Sequence, residues 1–297
     1  MRPSPRWLST LTSHIEVERK FHPTRSILDA LTRPNVPNLA SIGRVHLNGV
    51  HFVRDLYYDR ADERLVKAGI WVRRRSVFVP RHTSSGPNSS STSDSIESSS
   101  WEAKIRVGGN FAASQFVEVQ GADAVEQEIL RVLGPTSIRV DLDKIDRDLQ
   151  VMCDLTTRRL EGTLFLNEFD NMDAVNGRSG PLDRLTVVMD QVVQTPQGDF
   201  PAARTQLEGI STDVIPPAMF FHEIGELEVM EEVCTDTVDE DEHASHRKTV
   251  AARRASQLEA FMLAHPSLFP MDPKPLGKLE AYFSWAEAAK REGHATD

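Results

Sequence analysis

Two cysteines in 297 residues, Cys153 and Cys234, are too few for a disulfide framework. A chain so poor in cysteine suits a reducing compartment, and the cytoplasm is the expected location. No apolar run approaches the ~18 residues of a membrane-crossing helix, so no membrane partner is expected. Basic residues are not in surplus either. Lys and Arg number 34 against 44 Asp and Glu, a net charge of −10 that argues against nucleic acid as the main partner. No internal repeat of solenoid length is present. What remains is a chain with 39% hydrophobic and 26% charged residues, enough to build a core.

The first 14 residues, "MRPSPRWLSTLTSH", are basic, rich in Ser and Thr and free of acids, a weak form of organelle-targeting composition. The two prolines spoil an amphipathic helix, so residues 1–13 are read as a disordered tail. Residues 14–290 are read as one domain, expected to be a monomer. Residues 80–100 are Ser-rich and apolar-poor, with too little apolar area to offset ordering entropy, and are expected to be a disordered loop.

Elsewhere β-prone runs dominate. "IEVERKF" (15–21), "GIWVRRRSVFV", "WEAKIRV", "SQFVEVQ", "VMCDLTTRRLEGTLFL", "RLTVVMDQVV" and "HEIGELEVMEEV" alternate in hydropathy or are rich in strand formers. "SIGRVHLNGVHFVRDLYYD" contains Asn48-Gly49, a hairpin signal. "HPTRSILDALTR", "ADAVEQEILRVLG", "VAARRASQLEAFMLAH" and "LGKLEAYFSWAEAAKRE" are predicted helices, and the acidic run 239–242 a solvated linker. About eight strands with helices packed around them predict an α+β fold: a closed eight-stranded antiparallel barrel.

The polar faces of these strands are unusual. Side chains alternate faces along a strand. One face of the first therefore carries Glu16, Glu18 and Lys20, and another strand puts Trp71, Arg73 and Arg75 together. Glu102, Lys104 and Arg106 share a face, as do Glu226 and Glu228. Each alone suits a strand with one side in water. In a closed barrel the same faces can point inward. Buried charges must then be paired or bind ions. A triphosphate with a divalent cation meets both demands, since Arg and Lys hold phosphate oxygens while carboxylates hold the metal.

"IEVERKF" resembles the Glu-x-Glu-x-Lys signature of the CYTH family, the triphosphate tunnel metalloenzymes. "LYYDRADERLVKAGIWVRRR", "WEAK", "GELE" and "GKLEAYF" are similar to its later segments and fall in the family's order. The likeness spans roughly residues 14–285 and is nearest to the thiamine triphosphatase branch. The resemblance implies hydrolysis of the terminal phosphate of thiamine triphosphate with Mg²⁺ or Mn²⁺. The alternatives are an inorganic triphosphatase and a non-catalytic triphosphate or polyphosphate binder. It implies that Glu16, Glu18, Asp190, Glu226 and Glu228 are metal-side carboxylates. Lys20, Arg73, Arg75, Lys104, Arg158 and Lys278 would bind phosphate, with Glu16, Glu18 and Lys20 catalytic. Trp71 would lie against a thiamine ring. The family's Val-Asp-Leu-Asp segment reads "VVMD" here: Val188 replaces its first aspartate, and Asp190 stands two residues on, on the same face. The segment 191–217 is a further insertion relative to the family.

Overall fold

Eight runs of this sequence pair into one sheet that closes on itself in the computed structural model, which describes residues 11–33, 39, 42–79, 95–110, 113–134, 149–166, 182, 184–209, 219–235 and 239–291. Of the tail expected at 1–13, residues 11–13 are strand and 1–10 lie outside the described residues, as does most of the Ser-rich loop, 80–94. The strands are β1 (Leu11–Phe21), β2 (Gly43–Asp59), β3 (Ile70–Val79), β4 (Ser95–Asn110), β5 (Ala113–Gln120), β6 (Gln150–Leu166), β7 (Arg184–Gln194) and β8 (Phe221–Thr235). Their order around the barrel is β1-β5-β4-β3-β2-β6-β7-β8, each pair antiparallel, with β8 returning to β1. Closure removes both sheet edges.

Three local expectations are corrected. Asn48-Gly49 does not turn the chain. It lies inside β2, where the register against β6 slips between Leu47 and Gly49. Residues on both sides of the slip pair with the same strand, so the pair forms an irregularity in a continuous strand rather than a hairpin. β4 begins at Ser95, so the last residues of the expected loop are strand. The acidic run 239–242 is the start of a helix, where the Asp239 carboxylate accepts from the backbone N–H of Asp241 at 2.9 Å.

Six helices lie among the described residues: α1 (Arg25–Thr32), α2 (Arg64–Lys67), α3 (Ala122–Leu133), α4 (Phe200–Gly209), α5 (Glu240–Ala264) and α6 (Lys278–Arg291). Thr24 caps α1, its Oγ1 accepting from the Ile27 N–H at 3.4 Å. Asp59, fully buried at the end of β2, accepts from the N–H groups of Leu65 and Val66 at 3.0 and 2.9 Å. That contact fixes the turn that leads into Trp71. None of the described helices is long and apolar enough to cross a membrane.

The helices explain the charge pattern. Apolar residues on the outer faces of the strands meet the helices. Ile15, Val17 and Phe21 of β1 and Leu227 and Val229 of β8 pack with Leu258 and Met262 of α5 and with Phe269. Val72 and Ala103 pack with Val125 and Ile129 of α3. The insertion after β7 supplies α4, whose Phe200 stacks on Phe78 at 3.7 Å between ring centroids. With the apolar faces outward, the ionic faces are turned into the barrel. α6 covers one end: its Ala281 and Tyr282 cluster with Tyr57, Cys153 and Leu155.

Candidate functional site

Register carries the ionic residues to a common interior. Cross-strand partners share a face of the sheet. Glu18 is opposite Glu228, Lys20 opposite Glu226, Lys104 opposite both Glu118 and Trp71, Arg73 opposite Glu102 and Tyr57, Arg75 opposite Asp55, and Arg159 opposite Asp190. They surround a cavity of about 340 Å³. Of the residues expected at a site, Glu16, Glu18, Lys20, Trp71, Arg73, Arg75, Lys104, Glu226, Glu228 and Lys278 line it.

Arg158 does not. It sits on the other face of β6 and donates to Gln191 Oε1 at 2.9 Å. Its neighbour Arg159 lines the cavity instead. An Arg-Arg doublet gives alternation no means of choosing, and only the pairing with β7 does so. Tyr57, Phe116, Glu118 and Met230 also line the cavity and were not among the expected site residues. Phe116 and Glu118 had a legible signal, since they alternate on one face of "FVEVQ".

The carboxylates of Glu16, Glu18 and Glu228 come within 4.8 Å of one another, a group able to hold a metal ion. Burial, Glu16 and Glu226 push the Glu228 carboxyl well above its usual range. Burial is the larger cause and the neighbouring carboxylates add to it; a divalent cation would offset both. The donor set, three carboxylates, suits a hard cation such as Mg²⁺ or Mn²⁺. Glu226 lies beside this group and 3.5 Å from Lys20 Nζ. Asp190, expected on the metal side, stands outside the group and holds two cations. Val188 is buried, opposite Glu226.

The cations are held from behind. Arg75 makes a two-pronged pair with Asp55 at 2.8 and 2.7 Å. Arg73 donates to Glu102 at 2.9 and 2.7 Å. Arg159 pairs with both oxygens of Asp190 at 2.8 and 2.6 Å, and Lys278 Nζ lies 2.7 Å from the same carboxylate. Lys104 bridges Glu16 at 2.8 Å and Glu118 at 3.1 Å, and Lys20 donates to Glu18. Burial alone would raise the Asp55 carboxyl, but Arg75 and Arg73 hold it below the ordinary carboxylate range. Burial would likewise lower Lys20, yet Glu18 and Glu226 keep it above its ordinary value, so it stays charged.

The cavity is therefore polarised. At one wall Arg73, Arg75, Arg159 and Lys278 face three carboxylates, Asp55, Glu102 and Asp190. At the other, Glu16, Glu18, Glu118, Glu226 and Glu228 face two lysines, Lys20 and Lys104. The first wall has one more cation than it has carboxylates, and the second has more carboxylates than cations. Trp71 meets Phe116 edge-on at 5.5 Å, and the Arg106 guanidinium carbon lies over its ring at 4.8 Å.

No family model matches the chain, and no curated protein does. Among solved structures it is similar to the PH1819 protein of Pyrococcus horikoshii OT3, at 12% identity and a TM-score of 0.40, covering 91% of this chain and 98% of that one. It is also similar to a protein from Hippeastrum, described as an adenylyl cyclase candidate with a dominant triphosphatase activity, at 13% identity and a TM-score of 0.35, covering 95% and 97%. A further likeness, to an adenylate cyclase candidate of Vibrio parahaemolyticus, has 13% identity and a TM-score of 0.35, covering 91% and 99%.

Proposed function

We propose that this chain is a triphosphate tunnel enzyme of the CYTH kind that hydrolyses the terminal phosphoanhydride of a small-molecule triphosphate. One observation carries the reading: inside a closed barrel, a cation-rich wall faces three carboxylates whose oxygens gather within 4.8 Å. A bare polyanion would satisfy only the first wall, and a bare metal ion only the second. A metal–triphosphate complex satisfies both.

Glu16, Glu18 and Glu228 are the residues that would hold a divalent ion, which supplies charge neutralisation for phosphate oxygens when bound. Arg73, Arg75, Arg159 and Lys278 bind and orient the phosphate chain, and the guanidinium forks match phosphate edges. Lys20 and Lys104, held among the carboxylates of the second wall, stabilise charge on the phosphoryl group in flight. Water attacks the terminal phosphorus as the bond to the bridging oxygen breaks; orthophosphate and a diphosphate leave, and the water's proton passes to solvent. The protein's contribution is positioning and preset electrostatics. The first turn of α6, with Lys278, Leu279 and Glu280, forms part of the cavity wall.

Two substrates differ at Trp71. Thiamine triphosphate would set its cationic ring against the indole, a contact worth ~0.5–2 kcal/mol. Inorganic triphosphate needs no such contact, and the Arg106 guanidinium over the indole favours it by making that ring a poorer partner for a second cation. Phosphate release from thiamine triphosphate, tripolyphosphate and ATP with Mg²⁺ or Mn²⁺ tests the proposal. Binding without release would make the chain a binder, and neither binding nor release would end the reading.

A further inference from the structure

We propose that Asp190 is a positioning residue that aligns Arg159 and Lys278 as a pair and competes with phosphate for both. The inference rests on the triphosphate reading of the same cavity. Asp190 is 1% exposed. Its two oxygens are both committed: Oδ1 accepts from Arg159 Nε at 2.8 Å, and Oδ2 lies 2.6 Å from Arg159 Nη2 and 2.7 Å from Lys278 Nζ. Arg159 and Lys278 line the cavity, while Asp190 stands behind them.

The two cations come from unrelated places. Arg159 is in mid-strand on β6, and Lys278 opens α6 after a segment tied to the barrel by two histidines. The His22 N–H donates to Pro270 O at 2.8 Å, and His222 Nε2 lies 3.0 Å from Leu276 O. Neither tie reaches the Lys278 ammonium. Asp190 does, and it sets the ammonium against the guanidinium although the two repel.

Asp190 supplies one negative charge to two basic groups, and Glu226 adds attraction to both from further off. Both groups line the cavity, where a phosphate oxygen would be a second anion for them to share. Asp190 thus holds its partners in place and weakens their grip on the ligand. Removing its charge should separate these effects: phosphate binding strengthens while alignment is lost. A residue that merely stabilised the fold would not produce that split.

The test is Asp190→Asn, assayed with tripolyphosphate and Mg²⁺. Expected are a lower ligand-free Tm, a larger Tm gain from tripolyphosphate than in wild type, and a kcat down by about 10- to 100-fold with KM unchanged or lower. In that background Lys278→Met should cost less than it costs in wild type. If the Asn variant does not fold alone, refolding in tripolyphosphate should recover it better than sodium chloride of equal ionic strength. The proposal is overturned by a raised KM, by a ligand-induced shift equal to wild type, by additive loss with Lys278→Met, or by refolding no better in tripolyphosphate. Loss of Mg²⁺-dependent stabilisation alone would make Asp190 a metal ligand and also overturn it. If wild type neither binds nor hydrolyses tripolyphosphate, the reading of the cavity fails first and this inference falls with it.

Discussion

Glu18 and Glu228 face each other across the seam where β8 meets β1, and Glu16 completes their group with oxygens no more than 4.8 Å apart. Removing one charge from this trio should therefore cost turnover rather than fold. Glu18→Gln is expected to lower kcat by about 100-fold or more, ~3 kcal/mol of barrier by analogy with a single oxyanion donor. Its circular dichroism should match wild type. Activity within twofold of wild type would remove Glu18 from the site.

The doublet on β6 offers an internal control. Arg159→Ala should cut kcat/KM by about 100-fold, because its guanidinium lines the cavity. Arg158→Ala removes a side chain that bonds Gln191 on the opposite face. A change of that kind is ordinarily worth no more than about 0.5 kcal/mol, so activity should stay within about twofold. Equal losses in the two variants would place the wrong residue in the tunnel.

That doublet also marks what the sequence could and could not convey. Alternation located the strands, and the apolar sets of β1 and β8 showed one side of each to be core. It could not say whether the ionic sides looked out or in, because a solvated strand has the same period. Closure decides that, and closure depends on β1 finding β8. Asp55 and Glu102 illustrate a second limit. They matter through Arg75 and Arg73 on neighbouring strands, and such a partnership is fixed by register, which hydropathy within one strand does not encode. Lys278 was placed at the site by family likeness alone. A lysine opening a helix looks like surface until the helix is seen to cover the mouth.

Acid should destabilise the protein through the carboxylates behind the cations. The Asp55 carboxyl titrates below its ordinary 3.8 when folded, because Arg75 and Arg73 outweigh the effect of burial. The unfolded chain then binds the proton first as pH falls. The stabilisation is complete above the unfolded value and is lost as pH drops through it toward the folded value. Urea unfolding followed from pH 5 to pH 2 should show a steep loss in wild type. Asp55→Asn should show a shallower one, starting from lower stability. Parallel curves would mean that Asp55 has no special titration.

Trp71 separates the substrates. If thiamine triphosphate is used through the indole, Trp71→Ala should lower kcat/KM for it by about 2- to 30-fold, the equivalent of ~0.5–2 kcal/mol, and leave tripolyphosphate unaffected. Equal loss for both would assign the ring to cavity packing with Phe116.

Packing beside Glu226 is tested at Gly225. A Cβ there would come within 2.3 Å of the Phe21 ring, which Phe269 braces edge-on at 5.1 Å between centroids. Gly225→Ala should destabilise the protein by about 1–3 kcal/mol, the usual cost of overpacking, read as a lower midpoint in urea. An unchanged midpoint would mean that Phe21 is free to move.

The β1–β8 seam has a consequence for how the protein comes into being. Glu16 and Glu18 leave the ribosome early, Glu228 late, and the trio exists only once these distant segments have met. Contacts so remote in sequence are slow to form. A nascent chain halted before β8 would carry β1 with an open edge and have no means of gathering the three carboxylates, so the ability to take up a divalent cation would appear only with the last staves of the barrel.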